Sequence, residues 1–204
     1  MEVLPTLKGD IVELGCGSGW ISENLMSGYG VQPHRLHLSD ISQEAVEFVK
    51  TSLGAKIPSD NIRLGNSAEP WTGKRFDLVI NDVAGISDVI AKMSSWYDGV
   101  PISAGVDGLD NSRKILSEIK NLLKSAGIYI VPLISLSNTA EHKRLLLESF
   151  GRVRFSKTVW WPLPDNLALL VGSASDQLLD QTGITLVSKY GNTLSFTEVA
   201  ISDE

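Results

Sequence analysis

A glycine-rich turn near the start of the chain has the residue types that hold a small ligand. Glu13 is followed by Gly15, Cys16, Gly17 and Gly19. Glycines permit a tight turn that exposes backbone N–H groups and lets a ligand approach the chain closely. The Gly-x-Gly-x-Gly spacing differs from the Gly-x-Gly-x-x-Gly of dinucleotide sites, and Glu13 would repel a pyrophosphate but help to hold a cationic amino-acid group. The turn therefore favours a nucleoside ligand without phosphates.

Polar residues that suit the rest of a nucleoside follow further along the chain. Asp40 ends the next predicted strand, where a carboxylate can accept both ribose hydroxyls. Asn66 and Ser67 come directly after the third predicted strand, and either side chain could bond the edge of a base.

A second group of residues suits the chemistry of a substrate. Asn81 and Asp82 follow the fourth predicted strand, and both are predicted catalytic residues; Asn81 is also a predicted cofactor contact. Asp82 is expected to act as a base or as a hydrogen-bond partner for an amine or hydroxyl. Val83 and the aromatic residues Trp96 and Tyr97 of the following loop are predicted substrate contacts. Aromatic rings can exclude water or stack on a planar or cationic group, and packing in a core or lid is the alternative.

Strand-length apolar runs alternate with helical patterns along most of the chain. This alternation predicts a doubly wound α/β sheet of seven mostly parallel strands, with a C-terminal β-hairpin. Pro132 is expected to end or bend the fifth strand. The predicted strands are residues 10–14, 35–39, 61–64, 76–80, 127–134, 153–160 and 166–171, the predicted helices are 20–26, 42–53, 111–125 and 139–150, and the hairpin is 184–190 with 193–199 around Gly191 and Asn192.

Taken together and in this order, these motifs resemble the class I S-adenosylmethionine (SAM)-dependent methyltransferases over roughly the first two-thirds of the chain. The resemblance implies a Rossmann-like methyltransferase fold and SAM as the cofactor. It places the glycine-rich turn around the methionine and ribose, and Asp40 on the ribose. It further implies that Asn66 and Ser67 meet the adenine and that Ile41 packs on its face.

The tetrapeptide after the fourth strand, Asn81-Asp-Val-Ala84, is an altered form of a motif in the amino-methylating branch of that family. In that branch it is commonly Asn/Asp-Pro-Pro-aromatic, and the amide oxygen and a backbone carbonyl accept hydrogen bonds from the target NH2. A Gly-x-Asp-Gly-Leu stretch at residues 105–109 is also similar to the release-factor glutamine methyltransferases. Both prolines and the aromatic residue are missing here, and the branch's N-terminal helical substrate domain is not expected.

These features predict one methyltransferase domain over residues 1–204, with a SAM-binding half (1–80), a substrate-side half (81–175) and a hairpin extension (184–201). The expected reaction is methyl transfer to a nitrogen or oxygen of a small molecule. A protein (glutamine-type) or RNA methyltransferase is the alternative, and a non-catalytic SAM-binding domain is the second. The glycine spacing disfavours a NAD-dependent oxidoreductase.

Composition excludes several other classes of protein. The chain of 204 residues has 43% hydrophobic residues, a net charge of −6 and one cysteine, which rules out an intrachain disulfide and disfavours broad nucleic-acid binding. With neither a signal peptide nor a membrane-spanning run in the sequence, a cytoplasmic protein is expected. The three histidines lack metal-ligand spacing, so no metal is predicted. A homodimer through the hairpin edges is an open alternative.

Overall fold

The structure is a computed structural model that describes residues 7–83, 85–93, 103–173, 175–189 and 192–203. The chain forms two compact units, the first from residues 1–83, 117–131 and 202–204 and the second from 84–116 and 132–201. The strands are β1 (Ile11–Leu14), β2 (Leu36–Asp40), β3 (Ile62–Leu64), β4 (Phe76–Asn81), β5 (Leu123–Ile134), β6 (Arg152–Phe155), β7 (Val159–Pro162), β8 (Val187–Lys189) and β9 (Asn192–Asp203). The helices are α1 (Trp20–Tyr29), α2 (Gln43–Leu53), α3 (Asp88–Ala91), α4 (Asp110–Leu122), α5 (Thr139–Ser149), α6 (Asp165–Ser173) and α7 (Ser175–Thr182).

Five strands of the first unit lie in the order β3-β2-β1-β4-β5, and the neighbouring strands are parallel. All four residues of β1 are buried, as expected for a central parallel strand that is covered on both faces. The strand order reverses at β1, which has β2 on one side and β4 on the other. Ligands of such sheets bind beyond the carboxyl ends of the strands at this point. The glycine-rich turn, Asp40 and Asn81 all lie at these carboxyl ends.

Helix α2 shows how the local sequence produces the elements of this unit. The Ser42 side chain accepts a hydrogen bond from the Ala45 N–H, which makes Ser42 the N-cap of the helix. Val46, Val49 and Leu53 recur at helical spacing, and all three are buried in the core of the first unit.

The junction between α4 and β5 differs from the prediction. The helix ends at Leu122 rather than at residue 125, because Leu123 already pairs with Phe76 of β4. The Lys124 side chain lies 2.7 Å from the Asp77 carboxylate, which helps to hold the chain in this path. The strand then continues through Pro132, where an end or bend was predicted. Proline fits an extended strand and removes only one hydrogen-bond donor from it.

The predicted strand over residues 166–171 is wrong, because this segment belongs to helix α6. Leu167 and Val171, four residues apart, are fully buried in the core of the second unit, whereas Leu169 is 75% exposed. Leucine and alanine, which dominate the segment, also favour helix over strand. Helix α7, which no pattern predicted, adds Leu178 to the same core.

The remaining strands refine the prediction for the second half of the chain. Residues 153–160 form two strands, β6 and β7, instead of one. The predicted hairpin is confirmed, with β8 antiparallel to β9, but Lys189 pairs with Asn192. Asn192 therefore belongs to the strand and not to the turn. The described residues contain nine strands, the number predicted for the seven-stranded sheet and the hairpin together, because one predicted strand became two and another is a helix. The α/β class with a mostly parallel sheet is confirmed. No helix in the described parts of the chain is long and apolar enough to cross a membrane.

Candidate active site

The three glycines of the turn between β1 and α1 have different surroundings. Gly15 has φ +76°, and a Cβ atom there would lie 2.9 Å from both the Asp82 carbonyl oxygen and the Val83 Cα. Gly17 has φ +50°, and no atom lies within 4 Å of the place where its Cβ would be. A Cβ at Gly19 would instead contact the Leu53 side chain of α2. Gly15 and Gly19 therefore permit close packing, and Gly17 leaves one side of the turn open to a ligand.

The Asp40 carboxylate ties this turn to the end of β2. One oxygen accepts a hydrogen bond from the Gly17 N–H at 2.8 Å, and the other accepts one from the Ser42 N–H at 2.9 Å. The two backbone amides hold the carboxylate beside the open face of the turn. A carboxylate oxygen can accept more than one hydrogen bond, so these contacts leave capacity for ligand hydroxyls.

Glu13 lies at the carboxyl end of β1 and is 1% exposed. One of its oxygens accepts hydrogen bonds from the backbone N–H and the hydroxyl of Ser22, which fastens α1 to the strand. The pKa of Glu13 is raised to about 7, chiefly because of burial; the nearby charges of Asp82 and Asp40 contribute to this rise, and the Ser22 hydrogen bonds oppose it. The charges of Asp82 and Asp40 therefore act on Glu13 at this edge of the sheet, which favours a positively charged ligand there.

The residues predicted to meet the adenine follow β2 and β3. Ile41 has 52% of its surface exposed, an apolar side chain available for contact. Ser67 is buried, has φ +55° and donates a hydrogen bond from its hydroxyl to the Asn66 amide oxygen at 2.9 Å. The Gly65 N–H donates to the Asp40 carbonyl oxygen, which holds this loop against the end of β2.

Asn81 is held by two hydrogen bonds within the first unit. Its Nδ2 donates to the Tyr129 hydroxyl at 2.7 Å, and its Oδ1 accepts from the Val83 N–H at 3.1 Å. Because a backbone N–H can only donate, the amide atom that faces it must be the oxygen. Sequence reasoning missed Tyr129, which is fully buried in β5, and no local pattern links two residues that are 48 positions apart.

Asp82 differs sharply from its neighbour. Its side chain is exposed, yet the protein atoms around the carboxylate remove part of its hydration and raise the pKa of Asp82. Within the described residues no hydrogen bond or ion pair to this carboxylate is found. Asp82 is therefore the available polar side chain at the end of β4.

The other predicted site residues have varied positions. The Cys16 side chain is buried in the turn, and burial raises the pKa of its thiol, so Cys16 is unsuited to act as a nucleophile. Val83 is half-buried beside Gly15. Trp96 and Tyr97 lie outside the described residues. In the described ranges, no group of three or more histidine, cysteine, aspartate or glutamate side chains could hold a metal ion.

The chain is similar to known proteins in both sequence and structure. The family model described as the methyltransferase small domain matches residues 1–82. Among solved structures, the YcgJ protein from Bacillus subtilis has a TM-score of 0.56 and 16% identity, covering 97% of this chain and 93% of that protein. A ribosomal protein L11 methylase from Lactobacillus delbrueckii has a TM-score of 0.53 and 13% identity, with 98% and 72% covered. The chain has a methyltransferase fold.

Curated relatives of this methyltransferase fold act on macromolecules. The release factor glutamine methyltransferase of Bacillus cereus is 28% identical over 70% of this chain and 52% of its own length. The eRF1 methyltransferase catalytic subunit of Schizosaccharomyces pombe is 29% identical over 57% of this chain and 55% of its own. The ribosomal RNA small subunit methyltransferase C of an Enterobacter species is 37% identical over 38% of this chain and 22% of its own.

The chain therefore spans about half the length of the two release-factor relatives that it matches. The predicted resemblance to the class I SAM-dependent methyltransferases, and distantly to the release-factor branch, is confirmed, as is the Rossmann-like fold.

Proposed function

We propose that this chain is a SAM-dependent methyltransferase that methylates a nitrogen atom of a protein or an RNA. One observation carries the proposal: the Gly15–Gly19 turn has an open face at Gly17, and the Asp40 carboxylate is bonded to that same turn. The match of residues 1–82 to the methyltransferase small domain supports the assignment of SAM as the cofactor.

The residues at the carboxyl ends of β1 and β2 fit SAM better than a dinucleotide. SAM has no phosphate and carries a positive sulfonium and a positive amino group, so a site with several carboxylates attracts it. Glu13 and Asp40 lie where they would repel a pyrophosphate. We assign the ribose to Asp40, the methionine side to the glycine-rich turn, and the adenine to Ile41 with the Asn66–Ser67 loop.

When bound, SAM supplies a methyl group whose bond to sulfur breaks as the acceptor atom attacks the methyl carbon and whose bonding electrons stay on sulfur. The chain contributes position rather than covalent chemistry. The turn and Asp40 would hold the cofactor, and the residues at the end of β4 would hold the acceptor; holding two reactants in line can lower a barrier by about 7–11 kcal/mol.

The choice of substrate class departs from the expectation of a small molecule, which finds no support among the curated relatives. Their names describe methylation of release factors and ribosomal RNA. We therefore put a protein or RNA acceptor first. A SAM-binding protein without catalysis remains the competing function, because the Asn81–Ala84 tetrapeptide is altered.

The proposal is tested by calorimetric titration with SAM, its demethylated product S-adenosylhomocysteine (SAH) and NADH. We expect binding of SAM and SAH but not of NADH. Asp40→Ala removes a charged acceptor and should weaken SAM binding by roughly 1.5–3 kcal/mol, whereas Asp60→Ala, at an exposed aspartate away from the turn, should leave it unchanged. Failure of SAM and SAH to bind a folded sample would refute the proposal.

A transfer assay separates the substrate classes. Isotope-labelled SAM is incubated with the protein and with ribosomal and release-factor fractions, and the product is digested with protease or nuclease. Label released by one digestion identifies a protein or an RNA acceptor. SAM binding without any label transfer, also to a panel of small amines, would favour the non-catalytic function.

A further inference from the structure

The Asn81 amide is already used by the protein itself. Its two ends bond to the Tyr129 hydroxyl and the Val83 N–H, and the side chain is only 2% exposed. The oxygen keeps a second acceptor position, but the burial of the side chain makes it poorly placed to receive a target group from solvent. Asn81 therefore serves as a positioning residue that fixes the end of β4, and Tyr129 fixes Asn81.

The next residue offers what Asn81 does not. Asp82 is exposed and, in the part of the chain that the structure describes, its carboxylate has no hydrogen-bond or ion-pair partner. It lies close enough to Glu13 for its charge to act on that buried carboxyl group. Its backbone carbonyl is packed beside Gly15 of the cofactor turn, so Asp82 borders both the turn and the end of β4.

We propose that the exposed Asp82 carboxylate, and not the Asn81 amide, receives the target nitrogen, and that this nitrogen arrives as an alkylammonium group of a protein. The proposal rests on the proposed function, because it names the acceptor class of that same site. A carboxylate pairs most favourably with a cation, and the exposed Asp82 carboxylate has no protein cation as a partner among the described residues. The amide of glutamine and the amino groups of RNA bases are neutral and gain less there.

An ammonium nitrogen has no free electron pair, so it must lose a proton before it can attack. The structure provides an acceptor for that proton at Asp82. The N–H electron pair becomes the lone pair that attacks the methyl carbon, the proton passes to the carboxylate, and the exposed carboxylate then releases it to water. Desolvation by the surrounding protein raises the pKa of Asp82, and the positive charge of the neighbouring sulfonium would lower the pKa of the ammonium. Both effects make the proton transfer from the ammonium to Asp82 less unfavourable.

This proposal can be tested without knowing the methyl acceptor, by measuring binding of sinefungin. Sinefungin is a SAM analogue in which a carbon bearing an amine replaces the methylated sulfur, so that its ammonium group lies at the position of methyl transfer. We expect the protein to bind sinefungin about tenfold more tightly than the uncharged thioether SAH. A wild-type protein that binds both ligands equally would overturn the proposal without any variant.

The matched variants sharpen the test. Asp82→Asn should bring the sinefungin-to-SAH preference to within about twofold while SAH affinity stays the same, and Asp60→Asn should keep the full preference. A preference that survives Asp82→Asn would also overturn the proposal. These failures differ from failure of the proposed function, in which SAH itself does not bind. If the wild-type protein prefers sinefungin to SAH but the transfer assay labels only RNA or glutamine, the assignment of an alkylammonium acceptor is overturned.

Discussion

Alanine substitutions at Gly15 and Gly17 should have different consequences, mainly for stability at Gly15 and for ligand binding at Gly17. Both residues have positive φ, so an alanine at either position costs about 1–2 kcal/mol in backbone strain. At Gly15 the new Cβ would also lie 2.9 Å from backbone atoms of Asp82 and Val83, which cannot rotate away. Overpacking of this kind costs about 1–3 kcal/mol more. Gly15→Ala should therefore lower the free energy of unfolding by about 2–5 kcal/mol.

At Gly17 the new methyl group enters open space, so Gly17→Ala should cost only the backbone strain of about 1–2 kcal/mol. A bound ligand would occupy that space, and the methyl group should weaken SAH binding at least about fivefold by overpacking. Gly73→Ala is the matched control, because Gly73 also has positive φ (+81°) and nothing within 4 Å of its missing Cβ but lies outside the turn.

The assay combines urea unfolding, followed by tryptophan fluorescence, with calorimetric titration of SAH. We expect the free energy of unfolding to be similar for Gly17→Ala and Gly73→Ala, and to be much lower for Gly15→Ala. The Gly17→Ala and Gly73→Ala variants should be equally stable, but only Gly17→Ala should bind SAH more weakly than the wild-type protein does. The reasoning fails if Gly15→Ala and Gly17→Ala are equally destabilising, or if SAH binds the Gly17 and Gly73 variants equally well.

Two further predictions concern stability. The pKa of Glu13 rises from 4.5 to about 7 on folding, so the folded chain favours the neutral form of this residue. Glu13 therefore contributes its full stabilisation below pH 4.5, and this contribution is lost as the pH rises to about 7. In thermal unfolding, Glu13→Gln should therefore stabilise the protein by up to about 3 kcal/mol at pH 8 and have little effect at pH 4. The same effect at both pH values would contradict this prediction. Leu167→Ala should cost about 2–5 kcal/mol and Leu169→Ala less than about 0.5 kcal/mol in urea unfolding, because only Leu167 is buried. Equal losses at both positions would favour the strand alternation instead of helix α6.

The first unit could be predicted almost completely from its sequence, whereas the second could not. The short runs that became β1, β2 and β4 were predicted as strands, and their burial agrees with a parallel sheet that is covered on both faces. Residues 166–171 form an apolar run of the same length, but they fold as the helix α6. A short apolar run fits both structures, and here the burial of Leu167 and Val171 in the second core decides between them.

The candidate site shows the same division between local and distant determinants. The glycine spacing and the position of Asp40 after β2 were visible in the sequence, and the structure joins them by the hydrogen bond from Gly17 to Asp40. The bond of Asn81 to Tyr129 was not visible, because it depends on the pairing of β4 with β5. The burial that raises the pKa of Glu13 also arises from the tertiary structure and has no signature in the sequence.

One atom in the tetrapeptide after β4 explains why the alteration of its sequence matters. In the related branch, a proline occupies the position of Val83, and proline has no backbone N–H. The amide oxygen of the first residue then has no competing donor two residues later. Here the Val83 N–H donates to the Asn81 oxygen at 3.1 Å. Replacement of that proline thus does more than relax a rigid turn, because it supplies a donor that takes one of the two acceptor positions of the oxygen, while replacement of the other proline supplies the Asp82 carboxylate. The two changes act together, and they move the hydrogen-bond acceptor at the end of β4 from a buried neutral amide to an exposed charged group.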